Sequence, residues 1–145
     1  MAGDLRDLAN RMDKLNRRVK VAASEMAVEV AKDLTAELIS TTPVDVSTAL
    51  SSWVIGIGAP SSVLPEAYFP GWAGDTRFAS ARSAYAVALM NLAEKKPGQV
   101  IFITNNQDYI IDLNDGSSKQ QTRGFVQRAV MIARRKLKLK RLKLE

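Results

Sequence analysis

An α+β fold is predicted, with a long N-terminal helix and a C-terminal helix packed on a small, mostly antiparallel sheet, and a long aromatic loop beside it. Three observations carry it. An apolar stripe at helical spacing runs from Leu5 to Leu38, two short apolar and β-branched runs occupy 52–58 and 99–104, and a second helical pattern follows Gly124. At 145 residues with 46% hydrophobic side chains, the chain has the size and composition of one domain with its own core. The expected division is a single domain over 1–133 and a basic tail over 134–145.

The N-terminal helix is predicted over 4–39. Leu5, Leu8, Met12, Leu15, Val19, Ala22 and Met26 are spaced by alternating threes and fours, and Val30, Leu34 and Leu38 continue at four. Asp4 is placed as its N-cap, and Pro43 stops it. Such a helix is on the order of 50 Å long, more than the width of the domain it packs on. Its first turns are therefore expected to project, with a stripe suited to a seam against another helix. A broken helix folded back on its own core is the competing reading.

Beyond it, Thr41-Thr42-Pro43-Val44-Asp45 reads as a turn, followed by a short helical turn near Leu50. A strand over 52–58 places Trp53, Ile55 and Ile57 on one face, and Gly56 and Gly58 leave room for close approach on the other. Residues 59–79 hold three prolines and four aromatics (Tyr68, Phe69, Trp72, Phe78), a contact loop or a flap over the core. A helix capped by Ser80 is expected over 80–94. The run 99–104 is nearly all apolar or β-branched, which predicts a central strand covered on both faces. Residues 108–114 fit one helical turn or a short alternation equally well. Gly124 opens the last helix, with Phe125, Val126, Ala129, Val130, Ala133 and Leu137 on one side.

The net charge of +6 is concentrated at one end. Arg134, Arg135, Lys136, Lys138, Lys140, Arg141 and Lys143 are seven positive charges without an intervening acid, and the remaining chain carries −1. These seven are candidate contacts for an acidic partner or for phosphate. After Lys136 the period falls to about two, with Leu137, Leu139, Leu142 and Leu144 between basic residues. This predicts an extended tail that adds to a neighbouring chain's sheet edge, or one that stays disordered.

There are no cysteines and no histidines. That excludes disulfides, thiol nucleophiles, Cys/His zinc sites, Ser-His-Asp triads and imidazole acid–base catalysis. Asp108, Asp112 and Asp115 lie near a turn, but their spacing misses the calcium-loop pattern, and turn chemistry is the better account. The glycines form no nucleotide-binding motif, and no serine has an activating base. No catalytic, cofactor or metal residue is assigned, and no enzyme activity is expected. No apolar run reaches the roughly 18 residues of a membrane span, and residues 1–6 lack a signal-peptide core, as expected of a soluble, non-secreted protein without membrane contact.

Three stretches resemble one family. Thr42-Pro43-Val44-Asp45 with Leu50-Ser51-Ser52-Trp53 is similar to a "TPVDTG-x-L-x-x-SW" element of the tail-completion (head–tail joining, or neck) proteins of long-tailed phages. Ile103-Thr104-Asn105-Asn106, then Tyr109-Ile110, then Leu113-Asn114-Asp115-Gly116-Ser117-Ser118 resembles that family's "ITNN-x-x-Y-x-x-x-L-x-x-GSS" element. Gly124-Phe125-Val126 with Ala129-Val130 resembles its "GFV-x-x-AV" element. The blocks fall in the family's order across 42–130. Val46-Ser47 stand where that pattern has Thr-Gly, a departure that bears on the turn, and the basic tail lies outside the resemblance.

The resemblance implies an α+β virion protein that forms a ring, six-fold or a multiple, and acts in the host cytoplasm during assembly. Its implied partners are copies of itself, a tail terminator or tail tube protein, and the head connector, with DNA passing through the lumen without specific binding. Pro43, Asp45, Trp53, Asn105, Tyr109, Gly116 and Phe125 are then structural: turns, reversals and anchors. A ring needs one patch to meet a different patch on the next copy. The candidate patches are Leu5, Leu8, Met12 and Leu15 on the long helix; Phe69, Trp72 and Phe78 on the loop; and Leu137, Leu139, Leu142 and Leu144 at the C-terminus. A nucleic-acid-binding protein using the basic tail is the alternative, and a carboxylate-dependent hydrolase is a third.

Overall fold

The computed structural model describes residues 2–141. Helix α1, Ala2–Thr41, is unbroken over 40 residues. It begins before Asp4, so Asp4 lies in its first turn rather than at the N-cap. The sequence favours this continuity: beyond Gly3 the stretch is mostly Ala, Leu, Met, Arg, Lys and Glu, with no further Gly and no Pro. Arg11–Asp7 (2.8 Å) and Arg17–Asp13 (3.0 Å) ion pairs, each one turn apart, add a few tenths of a kcal/mol. At its end Thr41 and Thr42 hydroxyls donate to the Glu37 and Leu38 carbonyls, and Pro43 bars a further turn.

Helix α2, Thr48–Ser51, leads into strand β1, Trp53–Ile57. The turn before α2 takes a left-handed backbone at Ser47 (φ 67°), a conformation that favours glycine. The buried Ser47 hydroxyl lies 3.0 Å from that of Thr76. After the loop come α3 (Arg77–Ala93), β2 (Ile101–Asn105), α4 (Ile110–Asn114) and α5 (Phe125–Leu139). The ambiguity at 108–114 resolves to a helical turn. Ser80 does not cap α3, which starts three residues earlier after Thr76. Buried inside the helix, Ser80 instead accepts from Phe69 N (3.0 Å) and donates to Phe69 O (3.1 Å), pinning the loop.

β1 and β2 pair antiparallel, Trp53 opposite Asn105 and Ile57 opposite Ile101. They form a two-stranded sheet. β2 is therefore an edge strand with every residue half-buried, not a strand covered on both faces. Its β-branched composition fits a pleated surface, but among the described residues it has one strand neighbour. Ile55, Ile57, Ile101 and Ile103 face α1 and α3, meeting Val28, Ala31, Ala88 and Leu92. The larger core gathers Leu38, Val44, Leu50, Trp53, Ala84 and Phe125 where α1, α2, α3 and α5 converge. On the sheet's other side the chain folds back over Gly56, where an added Cβ would sit 2.2 Å from the Ala59 carbonyl oxygen.

The expected extended tail is corrected over its first half. Helix α5 runs on to Leu139, so Leu137 and Leu139 are helical. The alternating pattern is overridden because Lys, Arg and Leu are all good helix formers and the helix is already nucleated. Leu142, Lys143 and Leu144 lie outside the described residues.

Candidate assembly interface

Residues of the three resembling blocks meet in the larger core, where Val44, Leu50, Trp53, Phe125 and Ala129 pack with Ile103 and Leu113, and hydrogen bonds hold the turns around it. Trp53 Nε1 donates to Thr42 Oγ1 at 2.8 Å, locking the first strand to the end of α1. Asn105 donates to the Ala49 carbonyl (2.9 Å), and Asn106 donates to the Ser61 and Val63 carbonyls (2.9 Å each), so the Asn pair ties β2 to α2 and to the loop. Asp45 holds the far side of that loop, accepting from Ala73 N through its carboxylate (3.1 Å) and from Gly74 N through its carbonyl (2.7 Å). Gly116 (φ 97°) makes the reversal after α4. Asn114 then accepts from Val126 N (3.0 Å) and Gly124 N (2.7 Å), holding the start of α5. Phe125, 1% exposed, drives that helix into the core beside Pro43's neighbour Val44.

Tyr109 is partly exposed beside α4 and the Val44 turn. Burial, reinforced by the Asp108 charge, raises its phenol above the ordinary value, so it stays neutral. Asp112 and Asp115 belong to α4 and its end. Among the described residues no group of three or more His, Cys, Asp or Glu stands close enough to hold a metal ion. Nor is any described helix long and apolar enough to cross a membrane.

Reasoning from the sequence missed Gln120. Its side-chain amide accepts from Val44 N (2.8 Å) and donates to Val44 O (2.7 Å), imitating a strand partner for Val44. A lone glutamine in a polar turn carries no sequence signal for a contact 76 residues away.

The candidate contact residues divide between the two ends of α1. Residues 3–21 are exposed on every side, Leu5 at 72% and Met12 at 63%, with Leu8 and Leu15 between. This arm projects about 28 Å from the body. At the other end Arg77 donates to the Ser40 carbonyl, placing the aromatic loop there. Phe69 is half-exposed, and Trp72 (78%) and Phe78 (81%) are almost fully exposed. The loop is pinned at Asp45 and Ser80; its Trp72 faces outward, its Tyr68 packs against the core, and Phe78, expected on the loop, stands in the first turn of α3. The two apolar surfaces lie at opposite ends and do not merge.

The basic residues are only partly a free face. Arg134, Arg135, Lys136 and Lys138 are exposed on the last turns of α5. Lys140 instead reaches back to α1, pairing with Asp33 (3.1 Å) and Glu29 (3.4 Å). Leu137 borders an apolar groove with α1 and β2, while Leu139 is exposed. Comparison with known protein families, with curated proteins and with solved structures returns no match to this chain.

Proposed function

We propose that this chain is a structural part of a long-tailed phage particle, a tail-completion or neck subunit that forms a ring joining the tail tube to the head connector. The observation that carries this reading is the joint at Thr42, Trp53, Asn105, Asn114 and Phe125. The residues shared with the tail-completion pattern are those that fix turns, reversals and helix starts, so the likeness falls on architecture rather than on scattered surface positions. Exposed apolar surfaces at both ends of one helix suit a heterologous contact repeated around a ring. A body charge near zero suits a lumen through which DNA slides. In this reading the chain has no catalytic role.

The test is an assembly reaction. Particles produced without this chain should accumulate filled heads and finished tails that do not join, and the purified chain should restore joining. Infectious particles formed normally in its absence would overturn the proposal.

The second reading, nucleic-acid binding, is favoured by the exposed Arg134, Arg135, Lys136 and Lys138 on α5. It requires DNA affinity that falls steeply with salt and disappears when 134–145 is removed. Absent or salt-independent binding eliminates it.

A further inference from the structure

We propose that the groove between α1, β2 and α5 is the seat for the N-terminal arm of a second copy of this chain. The groove has a volume of about 660 Å³ and is lined chiefly by Met26, Val30 and Leu34 of α1, Val100 and Ile101 at β2, and Leu137 of α5. Among the described residues β2 has no further strand beside it, and the groove stands open there.

The arm matches this groove in pattern and length. Its stripe, Leu5, Leu8, Met12, Leu15 and Val19, continues through Ala22 into Met26, Val30 and Leu34, which line the groove. One helix thus carries a projecting ridge and a recessed seat with the same three-and-four spacing, the anchor pattern of a helix lying in a groove. The ridge from Leu5 to Val19 is about 21 Å long, and the seat from Ala23 to Leu34 about 17 Å. Because ridge and seat belong to one unbroken helix, the arm does not reach its own groove. The occupant is another molecule's arm.

Charge weighs against an arm on another arm. Residues 3–21 hold six basic and three acidic side chains, a net +3. Residues 22–41 hold four acidic and one basic, a net −3. Two arms side by side repel, whereas the α1 wall of the groove attracts an arm and the α5 wall, with Arg134, Arg135, Lys136 and Lys138 exposed beside Leu137, opposes it. Lys140 already engages Glu29 and Asp33, which reduces this attraction without reversing the repulsion between arms. An antiparallel fit brings Met12 to Met26 and Leu8 to Val30, and a parallel fit brings Met12 to Val30 and Leu8 to Met26. The first closes a reciprocal pair, and the second passes from copy to copy around a ring.

The absence of cysteine makes the contact directly testable. Positions 12 and 26 are about 21 Å apart on one rigid helix, so a disulfide in a Met12→Cys/Met26→Cys chain forms only between molecules. Mild oxidation of that variant, or of Met12→Cys/Val30→Cys, should give covalent oligomers, and the pair that links fastest reports the direction. An Asn10→Cys/Met26→Cys control, with Asn10 on the arm's opposite face, should link at least tenfold more slowly. Leu8→Glu and Met12→Glu should keep the native melting profile and lose association measured by light scattering, since these side chains touch nothing in their own body. Equal linking in the control, equally fast linking through Met12→Cys alone, or a chain that stays monomeric and unlinked at every concentration overturns the proposal. It stands apart from the phage reading: a reciprocal pair that never forms rings would satisfy it and count against a ring.

Discussion

The indole N–H of Trp53 donates to the hydroxyl of Thr42 at 2.8 Å, and that hydroxyl donates in turn to the Leu38 carbonyl at 2.6 Å. Both side chains are buried. The relay joins the last turn of α1 to the first residue of the sheet and adds to the packing of α1 on α3 and α5. Thr42→Val leaves the indole N–H without an acceptor and should cost about 1–3 kcal/mol in denaturant unfolding. Trp53→Phe should cost a similar amount, and the double variant should lose less than the two single losses together. Full additivity would mean that the pair is not coupled.

Thr35 predicts the opposite sign. It is fully buried on α1, and its hydroxyl has no hydrogen-bond partner among the described residues. Thr35→Val keeps the shape and removes an unsatisfied polar group, so stability should rise by about 1 kcal/mol. A lower midpoint for the variant would show that the hydroxyl has a partner.

Gly56 is held by space rather than by backbone angle. An added Cβ would meet the Ala59 carbonyl oxygen at 2.2 Å and Ser61 N at 2.9 Å, both main-chain atoms. Gly56→Ala must displace the 59–63 segment that Asn106 and Thr104 hold, and should lose about 2 kcal/mol or more by thermal unfolding. Gly58, where a Cβ meets nothing, is a control for crowding, although its φ of 79° makes alanine mildly strained there.

These three sites mark how much was legible in the sequence. The α1 stripe, the Trp53 strand, the Gly56 clearance and the Gly124 helix start were all readable, because each rests on local periodicity or on one residue's special geometry. The start of α3 at Arg77 was not, because Ser80 looked like a cap while its hydroxyl serves the distant Phe69 backbone. The helical state of Leu137 and Leu139 was hidden by an alternating pattern that tertiary context overrides. The groove was hidden as well: its lining comes from residues 26, 30, 34, 100, 101 and 137, which no local window joins.

Lys140 gives a pH and salt dependence. Its hydrogen bond to Asp33 raises the ammonium above the usual lysine value of 10.5; burial opposes this, and the Asp33 and Glu29 charges reinforce the rise. A raised folded-state value means the contribution is complete below the free lysine value and is lost as pH rises through the folded one. Lys140→Gln should therefore cost about 0.5 kcal/mol at neutral pH in low salt. The difference from the parent should vanish in strongly alkaline solution and shrink in molar salt. A loss unaffected by either would assign Lys140 a packing role instead.

The most direct measurement of the central claim is electron cryomicroscopy of joined particles at the boundary between tail tube and head connector. The account predicts a closed ring of this chain there, with the 42–130 joint forming the ring body and DNA in its lumen. A joined particle whose neck density holds no copy of this fold would contradict it.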